Sequence, residues 1–441
     1  MDALAEIAEI ETDGMGNPLD GGPMIAPYVD DIPADIELCG AAVVDRAALT
    51  AAFAIATRFV EKRNTIPILS NALLESVGDA IAITATDLDL AITIKVPAAV
   101  DSHFRMTAPA HMLESFLKKA TKGEHVAMTT TPGAVYPKGQ DGGQVEIEFE
   151  RAKYRIQTLP VKDFPRLAVG ALANSFTMSG AALFNMLDAT MGAISTEETR
   201  YYLNGIYCHV VQRGNMHALT MVATDGHRLY RQEIEAADGA LGMPGIILPR
   251  KTVDILHRLM KGKACPETVH VGVNANATKF VVSFGNIEIV SKLVDGTFPD
   301  YQRVIPTGND IVMTVDRDEL AEALQSAALV SSERGRAVKM MIERGRCRLV
   351  VNNPDSGSAQ ADASCQWDAD EFEIGLNSRY LEEVLTEVGA GPVTMAFGQN
   401  YTRNEDGRRI NEEPKRADAG GPVRVTGSRE GWDATLMPMR V

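Results

Sequence analysis

The chain has 441 residues, with 59 Asp and Glu against 43 Lys and Arg, for a formal net charge of −16. About 150 residues per domain makes roughly three domains. No apolar run approaches the roughly 20 residues of a membrane span. Cys39, Cys208, Cys265, Cys347 and Cys365 form no C-x-x-C pair, which fits buried thiols in a reducing cytoplasm rather than a disulfide framework. The acidity does not exclude a nucleic-acid partner, because affinity follows the local field and not the sum over the chain.

Residues 1–36 hold nine Asp or Glu and no Lys or Arg, which predicts a disordered acidic arm. Within it Leu4, Ile7 and Ile10 are spaced for an amphipathic turn that could meet a partner. The start is neither basic nor followed by an apolar stretch, so no secretory signal is expected.

A first unit is expected over 37–170. Val43 and Val44 lead into Asp45, a candidate N-cap, and Leu49, Ala52 and Phe53 then line one helix face. Thr65-Ile-Pro-Ile-Leu69 reads as a β-type run, and Ala80 to Val96 as alternating strand interrupted by a tight turn at Thr86-Asp87. A second helix is expected after Pro109, with Pro in its first turn and Met112, Leu113, Phe116 and Leu117 on its apolar face. Thr131 to Gly143 is a Gly/Pro-rich hairpin loop, and Val145, Ile147, Phe149, Tyr154 and Ile156 alternate as closing strands before Phe164-Pro165.

The same order recurs over 171–309. Phe176 and Met178 precede the cap Ser179, with Leu183, Met186 and Leu187 behind it, and Thr224-Asp225 stands where Thr86-Asp87 stood. Leu248-Pro249 opens a helix with Val253, Leu256 and Leu259, and Phe280 to Ile289 close the unit before Phe298-Pro299. A third copy spans 310–441: Met313 and Val315, cap Asp316, Leu320, Ala323 and Leu324, a turn at Asn352-Asn353-Pro354, and a helix after Asn377-Ser378 carrying Leu381, Val384 and Leu385. It carries a polar, Gly-rich insertion at about 401–422, then a strand through Val423 and Val425. The caps are 134 and 137 residues apart (179 − 45 and 316 − 179), which is domain-sized. The expected fold is α+β: three tandem repeats of antiparallel sheet with two helices on one face, packing in series if their edge strands pair.

Arg200-Tyr-Tyr-Leu-Asn-Gly205, Ala223-Thr-Asp-Gly-His-Arg-Leu229, Ile247-Leu-Pro-Arg-Lys251, Ser291-Lys-Leu-Val-Asp-Gly296, Phe298-Pro-Asp-Tyr301 and Met437-Pro-Met-Arg440 resemble the bacterial sliding clamps, the beta subunits of DNA polymerase III. The resemblance runs in order from about Glu37 to Val441. It implies a cytoplasmic homodimeric ring with sheets outside and helices lining a hole. Such a ring is a DNA replication processivity factor with no catalytic residues, cofactor or metal of its own. Its implied partners are duplex DNA without sequence readout, the polymerase III alpha subunit and other clamp-binding proteins, and an ATP-driven clamp loader.

Cations on or beside the helices that would face DNA are Arg58, Lys118, Lys119, Lys122, Arg250, Lys251, Arg258, Lys261 and Lys263, spread over the repeats as a basic lining. Arg63, Arg200 and Tyr202 match family positions that touch DNA from loops. A cleft for partner peptides containing Gln and Leu or Phe would use Leu203, Thr224, Gly226, His227, Arg228, Leu229, Pro299, Arg303, Val304, Tyr380, Met437, Pro438, Met439 and Arg440. Its aliphatic residues would form an adaptable floor, and His227, Arg228 and Arg440 would meet polar groups of the peptide.

Three other readings arise from the residues. The arm and the two insertions suit a diverged clamp paralogue serving repair or a mobile element. Asp225 and His227 could centre a phosphate- or nucleotide-processing enzyme, though no nucleophile motif accompanies them. Asp87 and Asp89 could ligate a metal, but without a third partner.

Overall fold

The computed structural model describes residues 39–61, 65–120, 123–131, 143–149, 152–330, 336–399, 402–403, 409–410 and 416–440. The acidic arm, most of the 131–143 loop and half of the 401–422 insertion lie outside these residues. Of the insertion, Thr402–Arg403 pairs antiparallel with Arg409–Ile410, and Gln399 bridges Ala417.

Among the described residues, six α-helices punctuate an otherwise antiparallel β structure: α1 (Arg46–Ala56), α2 (Ala110–Lys119), α3 (Gly180–Met191), α4 (Arg250–Leu259), α5 (Arg317–Ala328) and α6 (Ser378–Glu387). The expected caps are made. Asp45 accepts from the Ala48 N–H at 2.7 Å, Ser179 from Ala182 at 3.2 Å, and Asp316 from Asp318 and Glu319 at 2.9 and 3.2 Å, each pairing donors that a helix start leaves open. The first helical N–H of each copy then donates to a carbonyl just before the strand that follows the copy's second helix: Arg46 to Glu124, Gly180 to Glu267 and Arg317 to Gly391, at 2.8, 3.1 and 3.0 Å. The residues expected on the inner faces of α1, α3 and α5 are all buried.

Strand pairing repeats as well. The strand before the first helix pairs with the strand after the second in every copy: Ala41–Asp45 with His125–Thr131, Leu172–Ser179 with Thr268–Asn274, and Ile311–Asp316 with Pro392–Phe397. Two further antiparallel strands close each copy.

By packing, the chain groups into two compact units. One comprises residues 1–184, 237–243 and 254–293; the other comprises 185–236, 244–253 and 294–441. The reason is edge pairing across the copy boundaries. In the first unit Ile287–Lys292, the last strand of the second copy, pairs with the start of Leu90–Ser102 in the first copy, in the register Ile287↔Ile94 to Ser291↔Leu90. In the second unit Trp432–Leu436 of the third copy pairs with the start of Arg228–Glu235 in the second, from Gln232↔Trp432 to Arg228↔Leu436. Each unit therefore carries a 12-stranded sheet that runs through a copy boundary.

Three local expectations are corrected. Thr65 to Leu69 is not strand: Pro67–Ser70 is a short 3-10 turn, because Pro67 lacks an N–H for a ladder and holds the first helical φ. Ile68 and Leu69 bury there against Leu73, Val161 and Phe164. Pro109 occupies the N-cap position of α2, in extended conformation, rather than its first turn. Met112 is 47% exposed, so the inner face of α2 is Ala110, Leu113 and Leu117, while Phe116 stacks on Tyr154 at 4.2 Å.

Candidate functional site

The two Thr-Asp turns are built identically. In the first copy the Thr86 hydroxyl donates to the Leu90 carbonyl at 3.0 Å and accepts from the Leu88 N–H at 3.1 Å; Asp87 Oδ1 accepts from the Asp89 and Leu90 N–H groups at 3.0 and 2.7 Å. In the second, Thr224 bonds the Arg228 carbonyl and the Gly226 N–H at 2.7 and 3.1 Å, and Asp225 Oδ1 accepts from the His227 and Arg228 N–H groups at 2.9 and 3.0 Å. Both require a left-handed third residue, Leu88 at φ 81° and Gly226 at φ 89°. These bonds answer two of the rival readings. Asp225 bonds the backbone N–H of His227, so it does not orient the ring as a base, and Asp87 caps a turn while Asp89 pairs with Lys292 at 3.0 Å. No cluster of three or more His, Cys, Asp or Glu suited to a metal occurs among the described residues.

Within the second unit the 224–228 turn meets the other residues expected at a peptide cleft. Leu203 and Leu229 are buried with Val222, Ile247, Phe298, Tyr301 and Ile305 in one apolar cluster, so they form the layer beneath the surface. Tyr207 stacks on Phe298 at 4.9 Å and on His209 at 4.5 Å, and His209 Nε2 lies 3.0 Å from the Tyr301 hydroxyl. Burial pushes the His209 imidazole below its ordinary range, which keeps it neutral in this stack. Above this layer Gly226, His227, Pro299, Arg303 and Val304 are exposed. Arg303 pairs with Asp300 at 2.8 Å.

The chain terminus is tied to this surface. The Met437 N–H donates to the His227 carbonyl at 2.9 Å, and Met439 N–H to the Gly375 carbonyl at 2.8 Å. Met437 remains 39% exposed, Pro438 and Met439 are half-buried and Arg440 is exposed. Tyr380, whose N–H is capped by Asn377 at the start of α6, brings its ring 6.2 Å from that of His227.

Arg228 differs from what the sequence suggests. It is only 7% exposed, and its guanidinium is committed internally. It donates to Asp225 at 3.2 Å, to the Tyr230 hydroxyl at 3.2 Å, to the Gly192 carbonyl at 2.6 Å and to Glu383, and lies 4.5 Å over the Tyr380 ring. A buried guanidinium with two carboxylates supports the surface from below. Tyr230 and Glu383 are the participants that sequence reasoning missed, together with the Phe298–Ile305 floor. Only the Phe298/Tyr301 spacing hinted at that floor.

Of the cations expected to face DNA, Arg63 and Lys122 lie outside the described residues. Arg58, Lys118, Lys119, Arg250, Lys251, Arg258, Lys261 and Lys263 are exposed. Lys118 pairs with Glu114 at 2.7 Å, whereas Arg58, Lys119, Arg258 and Lys261 have no ion pair among the described residues. None of these cations belongs to the third copy, whose α5 and α6 carry six carboxylates and two guanidiniums. Arg317, Asp318, Glu322, Gln325 and Glu382 line one groove of about 310 Å³ between them. Arg200 and Tyr202 sit on the 3-10 turn Glu198–Leu203. There Arg200 bonds Glu197 at 2.7 Å and packs so closely on Gly226 that an added Cβ would lie 2.7 Å from its Nη1.

The thiol expectation holds in part. Cys208, Cys347 and Cys365 are buried, and burial pushes Cys208 up to about 12. Cys265 is half-buried and Cys39 exposed. No helix among the described residues is long and apolar enough to cross a membrane.

Family models match the chain in three consecutive stretches: the N-terminal domain of the DNA polymerase III beta subunit over residues 42–168, its central domain over 177–300 and its C-terminal domain over 302–402. The beta sliding clamp of Caulobacter vibrioides is 41% identical over 349 residues, covering 79% of this chain and 90% of that protein. That of Escherichia coli K12 is 31% identical, covering 76% and 86%. Among solved structures, the Caulobacter crescentus beta sliding clamp superposes with a TM-score of 0.80 at 37% identity, covering 91% of this chain and 99% of that one. A Bartonella birtlesii sliding clamp bound to griselimycin gives 0.79 at 36%, covering 92% and 100%.

Proposed function

The chain belongs to the DNA polymerase III beta subunit family, the beta sliding clamps, and on that premise we propose how its surfaces divide the work. It is a non-catalytic processivity subunit built of three clamp domains, and its partners are those of the polymerase III holoenzyme. The finer reading places domain boundaries at 37–170, 171–309 and 310–441. Two copies close head to tail around duplex DNA, and polymerase and other partners dock by short peptides on the surface around His227, Val304, Tyr380 and Met437.

The closure follows a pairing rule seen twice. The last strand of copy two adds to the strand after the first Thr-Asp turn, and the last strand of copy three adds to the strand after the second. By the same rule the last strand of copy one, Ala152–Gln157, adds to the start of Gly357–Gln366 in copy three. Among the described residues Ala152–Gln157 ends its sheet, and Gly357–Gln366 pairs with Gly345–Asn353 along one side but with Ile311–Asp316 only at Cys365 and Gln366 on the other, so both leave room for a further strand. Aligning the two observed registers places Arg155 opposite Ser358 of a second molecule.

The observation that carries the docking reading is the anchoring of the Met437 and Met439 N–H groups to the His227 and Gly375 carbonyls beside an exposed apolar rim. Deleting residues 437–441 should abolish binding of a synthetic peptide containing Gln, Leu and Phe while the dimer persists in sedimentation. Unchanged peptide affinity would remove this surface as the docking site.

DNA is held through phosphate by Arg58, Lys118, Lys119, Arg258 and Lys261, without base readout. The acidic face of α5 and α6 does not join them.

A further inference from the structure

We propose that Glu383, a residue of α6 outside the peptide-contact set, is a positioning residue for partner binding: it clamps the Arg228 guanidinium beneath Tyr380 and so fixes the aromatic wall of the cleft. The proposal rests on the docking reading above and adds to it a part that no ligand touches.

Arg228 is the point where three segments converge. Its own strand follows the 224–228 turn, its Nη2 donates to the Gly192 carbonyl just beyond α3, and its Nη1 reaches α6 through Glu383. Asp225 takes the Nε edge at 3.2 Å. With both edges of the planar fork engaged, the guanidinium plane has one orientation left, and in it Tyr380 lies 4.5 Å from the guanidinium carbon. Glu383 is itself fixed, since Arg379, one turn earlier on the same helix, donates to its other oxygen at 2.7 Å. Burial pushes the Glu383 carboxyl up, but the hydrogen bonds from Arg228 and Arg379 outweigh it and hold it below the ordinary carboxylate range. It is therefore ionised at neutral pH and answers the buried cation. Without it, Arg228 keeps a single carboxylate, and Tyr380 loses the surface that sets its ring beside His227.

The test is a double-mutant cycle between Glu383→Gln and Tyr380→Ala, read by titration of the full dimer with a synthetic peptide containing Gln, Leu and Phe. A 3-fluorotyrosine spectrum, with the Tyr380 resonance assigned by Tyr380→Phe, accompanies it. Glu383→Gln should weaken the peptide about tenfold, the usual scale for losing one charge-assisted bond. It should shift the Tyr380 fluorine signal and add nothing once Tyr380 is already Ala. Full affinity in Glu383→Gln, an unmoved Tyr380 signal, or losses that add would each overturn the positioning role. If Tyr380→Ala and removal of residues 437–441 also leave affinity intact, the cleft itself is wrong, a distinct failure. Should Glu383→Gln not fold, Glu383→Asp, which keeps the charge but draws it back by one methylene, is read against the same outcomes.

Discussion

Leu88 and Gly226 occupy the same place in two copies of one turn, yet only one of them suits it. A left-handed conformation costs an L-residue roughly 1–2 kcal/mol, and Leu88, 39% exposed, recovers little of that by burial. Glycine there gives back about 0.5–1 kcal/mol through the greater freedom of the unfolded chain. Leu88→Gly should therefore stabilise the protein by roughly 0.5–1 kcal/mol, visible as a raised denaturation midpoint. The reverse change, Gly226→Ala, should destabilise and displace Arg200, because the added carbon would sit 2.7 Å from its guanidinium. The turn was legible in the sequence from Thr and Asp, whose side chains bond their own backbone two and three residues on. The burial of Arg228 was not, since a cation in a surface turn looks the same whether or not a distant carboxylate, here Glu383, folds over it.

At the level of elements, the helix caps and apolar faces followed from spacing, because i, i+3, i+4 periodicity and a capping side chain are local properties. What spacing could not supply was long-range partnership. Glu75, on the strand Asn71–Val77, accepts from Arg105 at 2.7 Å and from Arg166, in the segment after the last strand of the first copy, at 2.8 Å. Glu75 and Arg105 are both almost fully buried, and nothing in their sequence context announces the pair. Replacing Glu75 by Ala should cost about 3–5 kcal/mol, because it strands a buried guanidinium; chemical denaturation would measure it. The charge difference between helix pairs carries a second expectation. Lys119→Ala with Lys118→Ala should weaken DNA binding for every sequence and lower the salt slope by about one for each phosphate no longer neutralised. Glu322→Gln with Glu382→Gln on α5 and α6 should leave binding equal or tighter. Weaker binding in the latter pair would mean that the acidic groove contributes to the DNA surface.

For the whole molecule, the repeat was the strongest signal in the sequence: one cap-and-helix pattern three times at a domain-sized interval. Its consequence for assembly became clear only with the registers. Two boundaries inside the chain are sealed by the same antiparallel joint, and a third joint of that kind needs another molecule. Arg155→Cys with Ser358→Cys should thus give a disulfide-linked dimer on oxidation while either change alone does not, as a non-reducing gel would show. Antiparallel partners at that register bring Cβ atoms to within about 4.5–5.5 Å, and failure of the pair to crosslink would mean that the third joint is built otherwise. The central claim is that DNA is held by enclosure rather than by tight contact. It is tested most directly by loading the protein on a circular plasmid with an ATP-driven clamp loader, cutting the circle at one site and measuring what stays bound. Release on linearisation is the result this account predicts; protein that remains on the linear product as firmly as on the circle would contradict it.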